Sequence, residues 1–247
     1  MKMIQLGRVC ELVRYPVKSM AGTAAESALL GWHGLNGDRR FAFRRLGDDS
    51  GFPWLTASRH PELLLYRPFG LDESSGEPLP THVRTPAGTH VELRSAELQS
   101  EISERCGLSV ELMRLKHGIF DDAPVSVISL GTIAGIGRAA GVDLDRRRFR
   151  ANIVLETHNP EPFLEDEWVG GTLVFGEREP MPAVSITKRD VRCMMINLDP
   201  DTGKQDGRPL KTVVGLNANN AGVYGTVVRP GAIHVGQAVS LISGVPR

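Results

Sequence analysis

The sequence predicts a mainly β protein with a few helices, folded as two β-barrel-like domains. Short segments of β-prone residues recur along the whole chain, and 27 glycines and 16 prolines separate them at short intervals among the 247 residues. This spacing is typical of barrels and sandwiches. The apolar fraction of 41% and the charged fraction of 23% are ordinary for a globular chain, which excludes global disorder.

The strand-like segments begin with Arg8–Val13 and continue with residues 40–44, where charged or small residues alternate with aromatic ones. Residues 82–85 and 90–93 flank Pro86-Ala87-Gly88, whose turn chemistry predicts a hairpin. Further strands are predicted at 109–115, 149–155, 172–175, 184–188, 193–197, 224–228, 233–235 and 238–242.

Two helices are predicted. Ser95 can cap a helix over 96–106, and Gly107 supplies its left-handed end. The second helix, over 129–140, is weaker because it contains three glycines. Residues 135–140 formally match G-x-G-x-x-A, but no alternation of strands and helices is evident around them and no acidic residue follows in a second strand. Tight helix packing is therefore the preferred interpretation.

A seam near residues 116–124 divides the chain into predicted domains at 1–115 and 116–247, and residues 70–80 form a predicted surface loop. Equal numbers of basic and acidic side chains, 29 each, argue against a nucleic-acid partner. No uncharged segment reaches the ~20 apolar residues that span a bilayer, so no membrane partner is expected. A cytoplasmic location is the simplest expectation.

The three cysteines, Cys10, Cys106 and Cys193, are too far apart in sequence for a Cys-x-x-Cys motif, and their odd number excludes a disulfide framework. The seven histidines show no zinc-ligand spacing. Residues 199–203 superficially suggest a calcium loop, but Lys204 and Leu210 occupy the positions that need glycine and glutamate. A hairpin-like turn is predicted there instead.

Arginines give the stronger indication of a site. Arg150 and Asn152 are two residues apart, and on a strand they would project from the same side, where a guanidinium beside an amide suits a bound phosphate. Lys18 and Ser19 would add an ammonium and a hydroxyl. The alternative is that the arginine run 146–150 is an ordinary solvated face.

Cys193 has two interpretations. A lone cysteine in a strand is most often a small buried hydrophobe. A thiolate at this position would need a metal, or cations supplied by other segments, because strand alternation would turn the flanking Arg192 and Met194 to the opposite face.

Taken together, several ordered motifs resemble the MOSC superfamily, the group of molybdenum cofactor sulfurase C-terminal domains, preceded by its N-terminal β-barrel domain. The layout is most similar to the mitochondrial amidoxime-reducing components and their bacterial relatives. The similarity covers nearly the whole chain. The matching segments are 15–19 (YPVKS), 37–41 (GDRRF), 55–57 (LTA), 148–154 (RFRANIV), Phe163 with Glu165, Asp166 and Trp168, Arg192-Cys193, 199–203 (DPDTG) and Gly231 to Gly236.

The resemblance implies a pterin-type molybdenum cofactor between the two β domains. By analogy, Cys193 would be the protein thiolate on molybdenum and the one catalytic residue, and soft sulfur suits such a centre. Lys18, Ser19, Arg39, Arg150 and Asn152 would hold the phosphate and the pterin, while Cys10 and Cys106 remain packing residues. Pyridoxal phosphate binding is a further property associated with the family.

The activity implied is reduction of small N-oxygenated substrates such as hydroxylamines and amidoximes. No cysteine-rich ferredoxin module is present in the sequence, so the electrons are expected from a separate protein of the ferredoxin or flavin/haem reductase type. Two departures stand out: Asp190 replaces a second cysteine of animal relatives, and Asp121-Asp122-Ala123 lacks pterin-side hydroxyls. Two alternatives remain open: a non-catalytic carrier of cofactor or sulfur, and a thiol or anion-binding domain without cofactor.

Overall fold

The structure is a computed structural model, and it describes residues 3–119 and 121–243. The strands are β1 (Met3–Arg14), β2 (Thr23–Ala25), β3 (Ser27–Gly31), β4 (Gly34–Leu35), β5 (Phe41–Arg45), β6 (Arg67–Phe69), β7 (His82–Arg84), β8 (His90–Glu92), β9 (Val110–Arg114), β10 (Val125–Ser129), β11 (Ile153–Thr157), β12 (Thr172–Phe175), β13 (Ala183–Val191), β14 (Asn220–Arg229), β15 (Gly231–His234) and β16 (Ala238–Ile242). The helices are α1 (Ala96–Cys106), α2 (Leu130–Ala140) and α3 (Arg208–Asn217), and short 3-10 helices lie at Pro61–Leu65, Arg146–Phe149, Leu164–Trp168 and Met194–Asn197.

Seven strands form a closed barrel in the order β11, β10, β14, β13, β12, β16 and β1, and β1 pairs again with β11 to complete the ring. Apolar side chains fill its interior because alternate residues along each strand point inward. Val9 and Leu12 of β1 belong to this core with Val127, Val184 and Trp168. Closure leaves none of these seven strands with an unpaired edge.

The first strand of the chain is therefore part of a barrel built mostly from the second half. Within β1, Val9 is paired with Leu155 of β11, and Ile4 is paired with Leu241 of β16. The predicted domains 1–115 and 116–247 include residues 1, 2, 120 and 244–247, which lie outside the described ranges. Their boundary stays a prediction.

In the rest of the N-terminal half, β2 pairs with β1, and β3 pairs with β4 and with β15 of the second half. Two further small antiparallel sheets are formed by β5 with β9 and by β6 with β7 and β8. They enclose a separate core that includes Phe41, Phe43, Tyr66 and Leu98. The predicted hairpin is confirmed, since Val83 of β7 is paired with Val91 of β8. The prediction of a mainly β chain with a few helices is also confirmed.

Both predicted helices are present, and their ends have the expected caps. The Ser95 hydroxyl accepts a hydrogen bond from the amide of Leu98, and Gly107 ends α1 with a φ of 64°. Helix α2 connects β10 to β11, and these two strands are parallel, so a βαβ unit does surround the glycine motif, contrary to the sequence expectation. The motif glycines nevertheless lie inside the helix, where a Cβ on Gly135 would stand 2.4 Å from Pro162. Tight packing of the helix is confirmed.

One predicted strand is wrong, and a second is wrong over its first half. Residues 193–197 begin a 3-10 helix instead, with Cys193 immediately before its first turn. Over 149–155, only the part from Ile153 is a strand, because Arg146–Phe149 is a 3-10 helix that ends at Arg150 in a left-handed conformation. The argument that Arg150 and Asn152 share one face of a strand therefore fails, although both residues remain near one another.

Helix α3 was not predicted, because it buries little apolar surface: Pro209 and Val213 are its buried residues. Strand β10 was missed as well, since all of its residues are buried and show no alternation. No helix in the parts of the chain described, 3–119 and 121–243, is long and apolar enough to cross a membrane.

Candidate functional site

A cleft of about 590 Å³ opens between the barrel and the small N-terminal sheets. Segments from both halves of the chain form its walls, including 18–19 and 52–59 from the first half and 148–150 and 190–196 from the second. Its volume falls in the range of small-molecule sites. Seven Lys or Arg side chains line it against three carboxylates, so the walls carry excess positive charge although the chain as a whole is neutral. The cationic residues are Lys18, Arg39, Arg45, Arg59, Arg148, Arg150 and Arg192.

Five of the six residues singled out in the sequence line this cleft: Lys18, Ser19, Arg39, Arg150 and Cys193. The sixth, Asn152, is fully buried behind the wall. Its Oδ1 accepts hydrogen bonds from Arg39 Nη1 at 3.1 Å and from the Ser126 amide at 3.2 Å, and its Nδ2 donates to the Val13 carbonyl. Asn152 therefore positions Arg39 rather than facing a ligand.

Backbone strain is concentrated at this site. Ser19, Arg39 and Arg150 all have positive φ angles, at 69°, 49° and 52° respectively. Residues other than glycine adopt this left-handed region at a cost, and such conformations cluster at ligand-binding positions. Two hydrogen bonds hold the first two segments in register: the Lys18 amide donates to the Phe41 carbonyl, and the Arg39 amide donates to the Tyr15 carbonyl.

Tyr15 lies beneath both central arginines. The Arg150 guanidinium carbon stands 4.2 Å from the centre of the Tyr15 ring, and that of Arg39 stands 5.4 Å away. Burial raises the pKa of the Tyr15 phenol to about 12, so the ring stays neutral and offers its π face to both cations. This stacking fixes the planes of two guanidinium groups at the cleft wall.

The two arginines differ in how their charges are balanced. Arg39 pairs with the buried carboxylate of Asp38. Arg150 donates to the Met20 carbonyl at 2.8 Å, but it has no carboxylate within 4.0 Å in residues 3–119 and 121–243. Burial lowers the pKa of Arg150, and the nearby Arg39 adds to this effect. An anion in the cleft would relieve the repulsion between these two cations.

Arg148 is a further donor, which the sequence analysis did not single out. Its Nη2 lies 3.1 Å from Asp199, whereas its buried Nε and Nη1 have no hydrogen-bond partner within the described residues. Buried donors of this kind are normally paired. The clustering of arginines at 146–150 was the available signal, but the sequence could not indicate which of them turns inward.

Lys18 is held by the carboxylate of Asp121. Its Nζ lies 2.6 Å from Asp121 Oδ1. Burial opposes ionisation of Asp121, but Lys18, Arg39 and Arg150 outweigh it and lower the pKa of this carboxyl. Asp121 therefore occupies part of the positive cleft as an internal anion.

Cys193 is exposed at the cleft, whereas Cys10 and Cys106 are partly buried. The expectation that Cys193 is a small buried hydrophobe is therefore wrong. Cys193 lies between the end of β13 and the start of the Met194–Asn197 helix, so it is not part of a strand. A thiol in this position is accessible to a ligand bound in the cleft.

The neighbouring Arg192 does not compensate a thiolate directly. Its Nη2 pairs with Asp190 at 2.8 Å, its Nε donates to the Ala221 carbonyl and its Nη1 donates to the Phe149 carbonyl. Asp190 in turn accepts a hydrogen bond from the Ser126 hydroxyl at 2.9 Å. Burial raises the pKa of Asp190, and Arg192 opposes that shift. This buried pair fixes the backbone that presents Cys193.

Comparison with known protein families gives two matches along the chain. A family model for the MOSC domain matches residues 114–240, and a model for the MOSC N-terminal beta barrel domain matches residues 6–111. No curated protein matches the sequence.

Among solved structures, the YuaD protein from Bacillus subtilis is similar over 99% of both chains, with a TM-score of 0.53 and 14% identity. This match supports the fold alone. The YiiM proteins from Geobacillus stearothermophilus and Escherichia coli match at TM-scores of 0.34 and 0.35, each at 14% identity. They cover 49% and 54% of this chain, and the matched parts are 54% and 60% of their own lengths.

Proposed function

Because the chain belongs to the MOSC domain family, whose members bind molybdenum cofactor, we propose that its cleft holds a pterin-type molybdenum cofactor. One observation carries the proposal. The exposed thiol of Cys193 lines the same cleft as the guanidinium of Arg150, which has no carboxylate within 4.0 Å among the residues described. A ligand with an anionic group at one end and a soft metal at the other suits this pairing.

The cationic wall would hold the phosphate. Arg150 presents a planar fork of donors whose orientation is fixed by Tyr15, and Ser19 adds a hydroxyl from the adjoining segment. Arg39 would assist, since Asn152 and Asp38 already fix its guanidinium. Lys18 can donate to the phosphate when its ammonium group contacts both the phosphate and Asp121, or when it leaves Asp121.

Cys193 would be the protein ligand to molybdenum and the catalytic residue. When bound, the cofactor would supply the two-electron chemistry that removes oxygen from small N-hydroxylated compounds such as hydroxylamines and amidoximes. Arg192 and Asp190 would keep the thiol at the cleft surface, and Phe52 and Trp54 would contact the substrate side. A separate electron-transfer protein would supply the electrons.

Cofactor content tests the binding part of the proposal. The full chain, purified from a host that makes molybdenum cofactor, should contain molybdenum and pterin in equal amounts. Arg150→Ala should lose most of both, because it removes the fixed donor fork. Arg146→Ala is the matched control, since Arg146 lies in the same run but pairs with Glu11 at 2.6 Å outside the cleft. Protein free of molybdenum and pterin would contradict the proposal.

Turnover tests the catalytic part. With reduced methyl viologen as electron donor, the loaded protein should reduce an amidoxime, and Cys193→Ala should abolish the activity while near-ultraviolet circular dichroism stays unchanged. Cys10→Ala is the control, because Cys10 packs beside the barrel rather than at the cleft. Retained turnover in Cys193→Ala would overturn the ligand assignment. Bound cofactor without any turnover would favour a non-catalytic carrier.

A further inference from the structure

A second group of metal-ligating side chains lies outside the cleft. His60, Glu62 and Cys106 offer one nitrogen, one oxygen and one sulfur atom, all within 4.8 Å of one another. His60 and Glu62 stand at the start of the 3-10 helix Pro61–Leu65, and Cys106 is the last residue of α1. The two segments are more than forty residues apart in sequence, so only the folded chain brings the three donors together.

The separations approach those of a metal site. His60 Nδ1 lies 3.8 Å from Glu62 Oε1, and Cys106 Sγ lies 3.9 Å from the same oxygen. A tetrahedral zinc ion with ordinary bond lengths separates such atoms by about 3.4 to 3.6 Å. The third pair, His60 and Cys106, lies within 4.8 Å, so side-chain shifts of about 1 Å or less would bring the three donors to these separations.

The surroundings of His60, Glu62 and Cys106 allow a metal ion to reach these side chains. The Glu101 carboxylate of α1 already accepts hydrogen bonds from Tyr66 Oη at 2.9 Å and from Arg105 Nε at 3.0 Å. The His60 and Glu62 side chains are 20% and 31% exposed, so an ion can reach them from solvent. The Cys106 thiol points at the Glu62 carboxylate and would release its proton to solvent when a metal binds.

We propose that His60, Glu62 and Cys106 form a zinc site with an open fourth position. Mixed nitrogen, oxygen and sulfur donors are characteristic of zinc, and magnesium and calcium prefer oxygen alone. The site is separate from the cleft, and it does not depend on the function proposed for the cleft.

A metal bound at this site would affect the cleft through the short segment 56–60. The His60 amide donates to the Thr56 carbonyl at 3.0 Å, and Thr56, Ser58 and Arg59 line the cleft. A metal bound to His60 and Cys106 would tie this segment to α1. We infer a structural role, in which zinc holds one wall of the cleft in place.

Cobalt substitution tests the site directly. The full chain, stripped of metal with a chelator, should bind one Co²⁺ and show a near-ultraviolet thiolate-to-cobalt band with visible bands of tetrahedral intensity. Cys106→Ser should abolish the thiolate band, and His60→Ala and Glu62→Gln should weaken Zn²⁺ binding roughly tenfold or more. Cys193→Ser is the matched control and should keep the band.

The thermal transition provides the second measurement. Free Zn²⁺ at a hundredfold excess over its dissociation constant should shift the unfolding equilibrium of the wild-type chain about a hundredfold toward the folded state. Metal-free Cys106→Ser should keep a cooperative transition that Zn²⁺ no longer shifts. The proposal is overturned if no thiolate band forms, if the band survives in Cys106→Ser, or if it disappears in Cys193→Ser.

Discussion

Asp121 and Arg150 have opposite effects on the binding of an anion in the cleft. Arg150 has no ionic partner among the residues described and stacks on Tyr15, so its charge is available to an anion. Asp121 already supplies an anion, and it holds Lys18 at 2.6 Å. A bound phosphate must therefore compete with Asp121 for Lys18. This competition makes the strength of anion binding depend on a residue that does not itself bind the ligand.

Asp121→Asn is expected to tighten anion binding, because it releases Lys18 and removes one negative charge from the wall. The affinity for inorganic phosphate, measured by isothermal titration calorimetry on cofactor-free protein, should rise several-fold, which corresponds to roughly 1 kcal/mol. Asp122→Asn is the control, because Asp122 pairs with Lys188 at 3.1 Å and removes the same charge without freeing Lys18. Equal gains in both variants would contradict the role assigned to Asp121.

At the scale of elements, the βαβ unit of β10, α2 and β11 rests on close contacts. The fully buried Glu165 carboxyl accepts hydrogen bonds from the Ser129 and Thr132 hydroxyls, which fixes the first turn of α2 against the Leu164–Trp168 segment. Glycines let the helix approach further: a Cβ on Gly131 would stand 2.4 Å from the Pro160 carbonyl oxygen. The glycines lower the helix propensity of α2, but they allow the helix to pack closely against the segment that contains Pro160.

Gly135→Ala is expected to destabilise the protein although alanine is the better helix former. Overpacking typically costs about 1–3 kcal/mol. The new methyl would stand 2.4 Å from Pro162, well inside van der Waals contact, so we expect a cost in the upper part of this range, above the roughly 1 kcal/mol gained in propensity. Gly215→Ala in α3 is the matched control, because nothing lies within 4 Å of its Cβ position, and it should be neutral or stabilising. Urea unfolding of both variants decides the matter, and a stabilised Gly135→Ala would refute the packing argument.

An ionic network joins three other elements. Asp201, in the turn after the Met194–Asn197 helix, binds Arg67 of β6 at 2.7 Å and also Arg147, which pairs with Asp145. Hydrogen bonds from Arg147 and Arg67 lower the pKa of Asp201 to about 2. The network therefore stabilises the contact between the N-terminal sheets and the second half of the chain at neutral pH.

A lowered carboxyl pKa makes this contribution sensitive to acid. It is fully present above about pH 4, the ordinary range of an aspartate, and it is lost as the pH falls through about 2. Asp201→Asn should lower the free energy of unfolding at pH 7 by less than about 1 kcal/mol, because Asp201 is half exposed. The difference between wild type and variant should shrink as the pH falls below about 4 and vanish below about pH 2, and a difference independent of pH would show that the charge is not responsible.

At the scale of the whole molecule, sequence patterns predicted most strands and both capped helices. Five of the six residues named as site residues line the cleft, and the sixth, Asn152, is buried behind its wall. Alternation and capping are local, so they can be read from neighbouring residues. The 3-10 helix after Cys193, the inward turn of Arg148 and the His60, Glu62 and Cys106 group were missed because each depends on contacts between distant segments. The closure of the barrel by β1 is the largest of these long-range features.

This closure predicts that residues 116–247 do not fold alone. Without β1, the strands β11 and β16 lose their shared neighbour, and the barrel core is opened where Val9 and Leu12 would lie. The isolated fragment should show no cooperative unfolding by circular dichroism and should aggregate through its open edges.

Supplying residues 1–26 as a peptide, or fusing them through a flexible linker, should restore a cooperative transition, because β1 and β2 pair within that segment. A variant peptide with Val9 and Leu12 replaced by serine is the control and should not restore it, since both side chains belong to the barrel core. A fragment 116–247 that is monomeric and unfolds cooperatively by itself would instead establish an autonomous second domain, and β1 would then be a dispensable addition to its barrel.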